Sequence, residues 1–354
     1  MSLRIVADRV IAQAAAAFGE LGNLTLADGR AIDRALLADC DVLLVRSVTR
    51  VDAALLAGTP VRFVGTATAG IDHVDTNFLD TQGIHFAAAP GCNARPVGEY
   101  VLACVLAHAA QRGRDPRELR CGVIGCGQAG SAALALLEGL GLDCLRNDPP
   151  RALREPGFVE LAEVLDADVV TLHVPLTDSG PHATRGLLGA TELAAMRPGS
   201  LLINAARGGI VDEAAWLGEI ARGRSVAAVD CWAGEPSVSD ALLAAAFIAS
   251  PHVAGHSVDA RIRATVQLRE ALSAWCATTG PTLPPWQPAR EPVPAPQALA
   301  GLRADAALPA PTGAIPAVRI VITLTARTGS GGGSVREQAA STATARVRPA
   351  RRSG

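Results

Sequence analysis

The sequence predicts an α/β protein of doubly wound parallel sheets. Three features carry that expectation. A G-x-G-x-x-G motif lies between a short apolar run and a helical stretch in residues 120–148, RCGVIGCGQAGSAALALLEGLGLDCLRND. Short apolar runs alternate with helical stretches on both sides of it, the rhythm of parallel strands joined by right-handed crossovers. At 354 residues the chain has room for two domains.

Within that stretch, Cys121 to Gly125 reads as a buried strand, helix follows to Leu140, and a second strand runs from Asp143 to Arg146. Each glycine has a place in a dinucleotide-binding turn. Gly125 permits the tight turn, Gly127 lets backbone approach a pyrophosphate, and Gly130 lets helix and strand pack closely. Gln128, Ala129 and Gly130 open the helix, whose unpaired N–H groups and positive dipole end suit phosphate. Asp148 stands about 20 residues on, where a carboxylate accepts hydrogen bonds from the adenosine ribose. The same carboxylate repels a 2′-phosphate, so the expected cofactor is NAD. The alternative is a glycine-rich strand-to-helix turn that binds nothing.

Composition narrows the classes. With 49% hydrophobic and 19% charged residues the chain has ample core, and a net charge of −2 speaks against a nucleic-acid partner. It contains no lysine, all 32 basic residues being arginine, which excludes Schiff-base lysine chemistry and a phosphate-loop lysine. The eight cysteines show no C-x-x-C pair and no ligand-like grouping with histidine, so free thiols and no metal site are expected. No signal peptide or membrane-spanning stretch is evident, and a cytoplasmic location with no membrane partner is the expectation.

Taken in order, Ile5 to Ala7 reads as strand, Val10 to Phe18 as helix, and Asp41 to Arg46, Arg62 to Thr66 and Ile84 to Ala87 as strands. Ligands of such sheets sit beyond the carboxyl ends of the strands. Ser47, Thr68, Ala69 and Gly70 are therefore candidate substrate contacts, although serine, threonine and glycine also simply favour loops. Asn93 to Pro96 reads as a helix start and Val97 to Ala110 as its continuation. Beyond the glycine unit, Val159 to Leu165, Thr191 to Met196 and Asp212 to Arg222 read as helices. Asp168 to Val174, Ser200 to Asn204, Val226 to Val229 and Phe247 to Ala249 read as strands. Val258 to Cys276 reads as a helix that crosses back to the first domain. From Pro281 on, proline, alanine and glycine dominate. Apart from a strand-like run at Val318 to Leu324, a poorly structured tail is expected there.

Arg207, Glu235 and His252 each follow a strand of the second domain. That places all three at the sheet edge where a nicotinamide would lie. An arginine can clamp a carboxylate bidentately, a histidine can take a hydroxyl proton as hydride leaves, and a glutamate can orient the imidazole and raise its pKa. The set suits oxidation of a 2-hydroxy acid. Taken singly, Arg207 reads more readily as a surface charge, Glu235 as a turn residue before Pro236, and His252 as a loop histidine; it is the three together, behind a dinucleotide fold, that favour the functional reading.

In these residues and the segments around them the chain resembles the D-isomer-specific 2-hydroxyacid dehydrogenases. GVIGCGQAG, LHVPLT, MRPGSLLINAARGGIVDEAAW, VDCWAGEP and SPHVAGHS carry the likeness. VRSVT, FVGTATAGIDHVD, AAPGCNARPVGEYV and NDPPRA narrow it to the branch that oxidises 4-phospho-D-erythronate. The resemblance implies two Rossmann-like doubly wound parallel-sheet domains with a cleft between them. Residues 1–92 would open the substrate domain, 93–257 would form the NAD-binding domain, and 258–280 would return to the substrate domain. It implies catalytic roles for Arg207, Glu235 and His252, and substrate contacts at Ser47 and Thr68. It also implies cofactor contacts at Asp148, Ala205, Ala206, Arg207, Asp230 and Gly255, and a homodimer. The implied reaction is NAD-linked oxidation of 4-phospho-D-erythronate to 2-oxo-3-hydroxy-4-phosphobutanoate on a route to pyridoxal 5′-phosphate.

Three departures stand out. His256 replaces a tyrosine that touches substrate in the family, Val174 replaces a polar residue, and residues 281–354 stand in place of a dimerisation domain. With that domain missing, pairing through the cofactor domain is the expectation. Two other readings stay open: a dehydrogenase of another D-2-hydroxy acid, such as 3-phosphoglycerate or glycerate, and a non-catalytic NAD-sensing protein.

Overall fold

The computed structural model describes residues 2–279 and 286–289, and the backbone of two short strands at 321–322 and 343–344. The chain divides into two compact units. One takes Met1–Pro96 and Gly255–Pro292, and the other is built on Val97–Ala254.

In the first unit the strands are β1 (Leu3–Asp8), β2 (Gly22–Ala27), β3 (Val42–Val45), β4 (Phe63–Thr66) and β5 (His85–Ala87). They form one parallel sheet in the order β2-β1-β3-β4-β5. β3 and β4 are buried along their whole length, as expected of strands covered on both faces. The connecting helices are α1 (Ala14–Phe18), α2 (Ala53–Leu56) and α3 (Thr76–Thr81). The carboxylates of Asp52 and Asp75 cap α2 and α3 by accepting from Leu55 and Phe78 N–H groups.

Two sequence expectations change here. The helix expected from Val10 begins only at Ala14, because Asp8 holds the preceding turn: its carboxylate accepts from Val10 N at 2.8 Å and its carbonyl from Ile11 N at 3.0 Å. Strand β2 was not foreseen. It is an edge strand with a mostly exposed, interrupted burial pattern, so its short alternation carries a weak apolar signal.

The second unit opens within α4 (Ala94–Arg112) and continues through β6 (Arg120–Ile124), α5 (Gln128–Gly139), β7 (Asp143–Asn147), α6 (Pro149–Ala152) and α7 (Leu161–Leu165). β8 (Val169–Leu172), α8 (Ala190–Ala195), β9 (Ser200–Asn204), α9 (Glu213–Ala221), β10 (Ser225–Val229), α10 (Asp240–Ala245) and β11 (Ile248–Ala249) complete it. Its sheet is parallel in the order β11-β10-β9-β8-β6-β7. The direction of winding reverses between β6 and β8, so their carboxyl ends frame the crevice in which such sheets bind ligands. Two apolar clusters pack the sheet, one centred on Trp216, Leu172 and Ile210, the other on Val101, Val123 and Leu137.

Helix α11 (Val258–Thr279) then packs into the first unit, where Leu268, Leu272 and Cys276 join Leu3, Ile5, Phe18 and Phe63 in one core. Trp286 packs against the same cluster, and Ala289 exchanges two hydrogen bonds with the Gln13 side chain. Of the strand-like run expected at Val318–Leu324, Val321–Ile322 pairs antiparallel with Ala343–Thr344. The rest of the expected tail lies outside the described residues.

Candidate active site

The glycine motif closes the carboxyl end of β6 as the residue types require. Gly125 has φ +85°, in the left-handed region. A Cβ at Gly130 would stand 2.0 Å from Gly125 O, so only glycine lets α5 approach the strand end this closely. A Cβ at Gly127 would meet nothing within 4 Å. Gly127 is the N-cap of α5, and no side chain caps that end. Gly127 and Gln128 are exposed and no side chain caps the positive end of the helix, a cradle that fits a pyrophosphate.

Asp148 reaches back to this turn. Its Oδ2 accepts from Cys126 N at 2.8 Å and its Oδ1 accepts from Arg151 N at 3.2 Å. Each carboxylate oxygen keeps a second lone pair for a ribose hydroxyl. Arg151 donates to Cys126 O and pairs with Glu155 at 2.8 Å. Val174 packs on the turn as well: a Cβ at Gly125 would lie 2.7 Å from its Cγ1.

The second group of residues sits past the ends of β9 and β10. Asn204, the last residue of β9, ties the two following loops together. Its Nδ2 donates to Arg207 O at 2.9 Å and to Cys231 O at 3.1 Å, and its Oδ1 accepts from Ala206 N. Gly208 completes the clamp, because a Cβ there would lie 1.9 Å from Trp232 O. Arg207 therefore rides on a loop pressed directly against the loop that carries Glu235.

His252 Nδ1 lies 2.8 Å from Glu235 Oε2, while Glu235 Oε1 accepts from Trp232 N at 2.7 Å. An ionised carboxylate only accepts, so Nδ1 is the protonated nitrogen and Nε2 of the neutral ring is left as a base. The Glu235 hydrogen bond raises the His252 pKa, against burial, which lowers it. For Glu235 burial acts upward, but the bonds from His252 and Trp232 N–H and the charges of His252 and Arg207 hold its carboxyl below the usual value. Arg207 acts on both groups, so guanidinium, carboxylate and imidazole share one electrostatic neighbourhood.

Asp230 builds the loop that presents His252. It is almost wholly buried and accepts from Ser250 Oγ at 2.6 Å, Val253 N at 2.8 Å and Ala254 N at 2.9 Å. Its carbonyl accepts from His252 N at 2.8 Å. Tyr100 OH lies 2.8 Å from the same Ser250 hydroxyl. His252 itself has φ +54°, an uncommon conformation for a side-chain-bearing residue that these bonds hold in place.

The remaining expected residues lie in the first unit. Ser47 is exposed just beyond β3. Thr68 donates to Gly70 O at 2.7 Å and meets Thr66 Oγ1 at 2.8 Å, so its hydroxyl shapes the loop beyond β4. Arg46 is an ion-paired sheet-end residue: its Nε is 3.0 Å from Asp8 Oδ2, and Asp8 is 0% exposed. Gly255 packs on Asn93, whose Nδ2 would be 2.5 Å from a Cβ, and His256 is exposed beside it. Sequence reasoning did not single out Asn204, Ser250, Tyr100 or His173. His173 is half-buried just beyond β8, with Nε2 3.1 Å from Thr171 Oγ1 and a buried Nδ1 without a partner, and desolvation pushes its pKa down to about 4. Asn204, Ser250 and His173 look like ordinary strand-end residues, and Tyr100 like an ordinary helix residue, until their partners are known.

Residues 99–254 match the pattern of the D-isomer specific 2-hydroxyacid dehydrogenase NAD binding domain. Erythronate-4-phosphate dehydrogenase from Pseudomonas aeruginosa is 49% identical over 277 residues, which cover 77% of this chain and 73% of that protein. The chain belongs to the D-isomer-specific 2-hydroxyacid dehydrogenase family. Erythronate-4-phosphate dehydrogenase of Salinibacter ruber is 48% identical over 279 residues, covering 77% of this chain and 71% of the relative. Among solved structures, D-lactate dehydrogenase from Aquifex aeolicus, complexed with NAD and lactic acid, aligns over 78% of this chain and 96% of its own with a TM-score of 0.66. At 21% identity that likeness shows the fold alone. As a member of this family the chain is an NAD-dependent oxidoreductase of two parallel-sheet α/β domains. Among the described residues no helix is long and apolar enough to cross a membrane.

Proposed function

We propose that this chain oxidises 4-phospho-D-erythronate to 2-oxo-3-hydroxy-4-phosphobutanoate, with NAD as acceptor, on a route to pyridoxal 5′-phosphate. The carrying observation is the Glu235–His252 couple beside Arg207, within a chain 49% identical to erythronate-4-phosphate dehydrogenases over 277 residues. Bound NAD supplies the acceptor for the hydride from C2. Gly125, Gly127, Gln128, Ala129 and Gly130 hold its pyrophosphate and Asp148 its adenosine ribose. Ala205, Ala206, Arg207, Asp230 and Gly255 complete its contacts.

Arg207 takes the substrate carboxylate bidentately and so orients C2. The C2 hydroxyl proton passes to His252 Nε2 as the C2–H bond breaks and the ketone forms. Glu235 stabilises the imidazolium and keeps Nε2 turned to substrate. Ser47, Thr68 and His256 contact the substrate, and histidine in place of tyrosine still donates a hydrogen bond to phosphate. The working form is a homodimer paired through the cofactor domain. All eight cysteines are free, which suits a reducing cytoplasm.

Mixing the protein with NAD and 4-phosphoerythronate should raise absorbance at the reduced-nicotinamide band. A panel including 3-phosphoglycerate and glycerate separates this reading from its nearest alternative. Faster turnover of a substrate lacking the 4-phosphate would defeat it.

A further inference from the structure

The fold brings together three metal-ligating side chains that are separate in sequence. Cys231, Glu235 and His252 each offer one ligand atom, and these atoms all lie within 4.8 Å of one another. Neither the spacing of the cysteines nor any local motif announces this group. Cys231 is placed by β10 and by the Asn204 side chain, which binds its carbonyl at 3.1 Å, while its own N–H donates to Asn204 O at 3.1 Å. Glu235 follows in the same loop, and His252 comes from the loop after β11.

We infer that Cys231, Glu235 and His252 form an inhibitory site for a thiophilic divalent cation of the zinc class. Sulfur, imidazole and carboxylate, with one position left for water, are a donor set that Zn²⁺ accepts and that Mg²⁺ and Ca²⁺ do not favour. Bond lengths of about 2.0–2.3 Å put ligands of a tetrahedral ion about 3.5 Å apart, so closure needs side-chain adjustment of about an ångström. His252 and Glu235 are solvent-exposed, which opens a route for the ion, whereas Cys231 is buried beneath them. Binding forms a metal–sulfur bond and sends the thiol proton to solvent.

The consequence for the reaction is direct, and it rests on the reading of His252 as the base. Ligation through Nδ1 breaks the bond to Glu235 and leaves the ring's proton on Nε2, so no base faces the substrate. Ligation through Nε2 occupies the base itself. Either way the loaded protein is inactive, and a chelator restores it.

Cobalt provides a readout that needs no substrate. Titration of the metal-free protein with Co²⁺ should produce one equivalent of a near-ultraviolet sulfur-to-cobalt charge-transfer band, displaced by Zn²⁺. Cys231→Ser should remove the band and weaken Co²⁺ binding at least tenfold. Cys104→Ser, which changes a buried thiol elsewhere in the same unit, should leave both unchanged. In EDTA the Cys231→Ser protein should turn over like the parent, and it should resist Zn²⁺ concentrations that silence the parent. An unchanged band and affinity in Cys231→Ser would overturn the inference, as would absence of any band in the parent. Those results are read without turnover, so a failure of the proposed reaction shows separately in the EDTA assay.

Discussion

Glu235 holds two donors at once: Oε1 takes Trp232 N–H at 2.7 Å and Oε2 takes His252 Nδ1 at 2.8 Å. One carboxylate thus anchors its own loop and orients the imidazole of another. Replacing His252 with alanine removes the proposed proton acceptor but none of the groups around the glycine turn. Turnover should fall by about 10²–10⁴, while NAD affinity, measured by fluorescence titration, should stay near the parent value. Undiminished turnover in His252→Ala would remove the mechanism.

Glu235→Gln should be nearly as damaging, for a different reason. The amide oxygen can keep Trp232 N–H, and the NH₂ group then faces Nδ1. The ring must accept there and carry its proton on Nε2, the reverse of what oxidation requires. The expected loss in kcat is again about 10²–10⁴, with the fold retained by circular dichroism.

The pH dependence follows from the raised His252 pKa. A protonated ring cannot accept the hydroxyl proton, so oxidation should decline as pH falls through a value above the ordinary imidazole range of about 6.5. Reduction of the 2-oxo acid needs the imidazolium and should respond in the opposite sense. In Glu235→Gln the raising partner is gone, and the residual limb should move to lower pH. Profiles of kcat/KM in both directions measure this; a limb moving upward would contradict it.

Gly208→Ala tests the clamp between the Arg207 and Glu235 loops. The new Cβ cannot stay 1.9 Å from Trp232 O, so one loop must shift. We expect a stability loss of about 1–3 kcal/mol, read as a lower unfolding midpoint, together with a rise in KM for the hydroxy acid as Arg207 moves.

The role proposed for Asp148 is to set the choice of dinucleotide. With glycine at this position the carboxylate that opposes a 2′-phosphate disappears, and the nearby Arg151 guanidinium is left to attract one. The ratio of kcat/KM for NADP to that for NAD should rise at least tenfold in Asp148→Gly. Loss of the Cys126 and Arg151 N–H partners should also loosen the turn and weaken NAD itself.

Much was legible in the residues alone. The runs of β3, β4, β8 and β9 are buried end to end and that of β6 from Cys121 on, and such runs identify themselves because both faces of a parallel sheet are covered. The glycine turn was legible for a similar reason: its backbone demands a residue type, and that demand is local. Strand ends likewise pointed to Arg207, Glu235 and His252, since topology puts every such end on one edge. The chain did not disclose β2, whose single covered face leaves little apolar pattern, or the late start of α1, set by a carboxylate several residues earlier.

Nor did it disclose which partners complete the site. That Asn204 joins two loops, that Asp230 builds the His252 loop, and that Cys231 lies within reach of His252 are matters of tertiary contact. Hydrophobic patterning repeats with the local backbone and can be read along a chain. A hydrogen bond or a ligand set between residues tens of positions apart depends on a register that only the packed sheet decides.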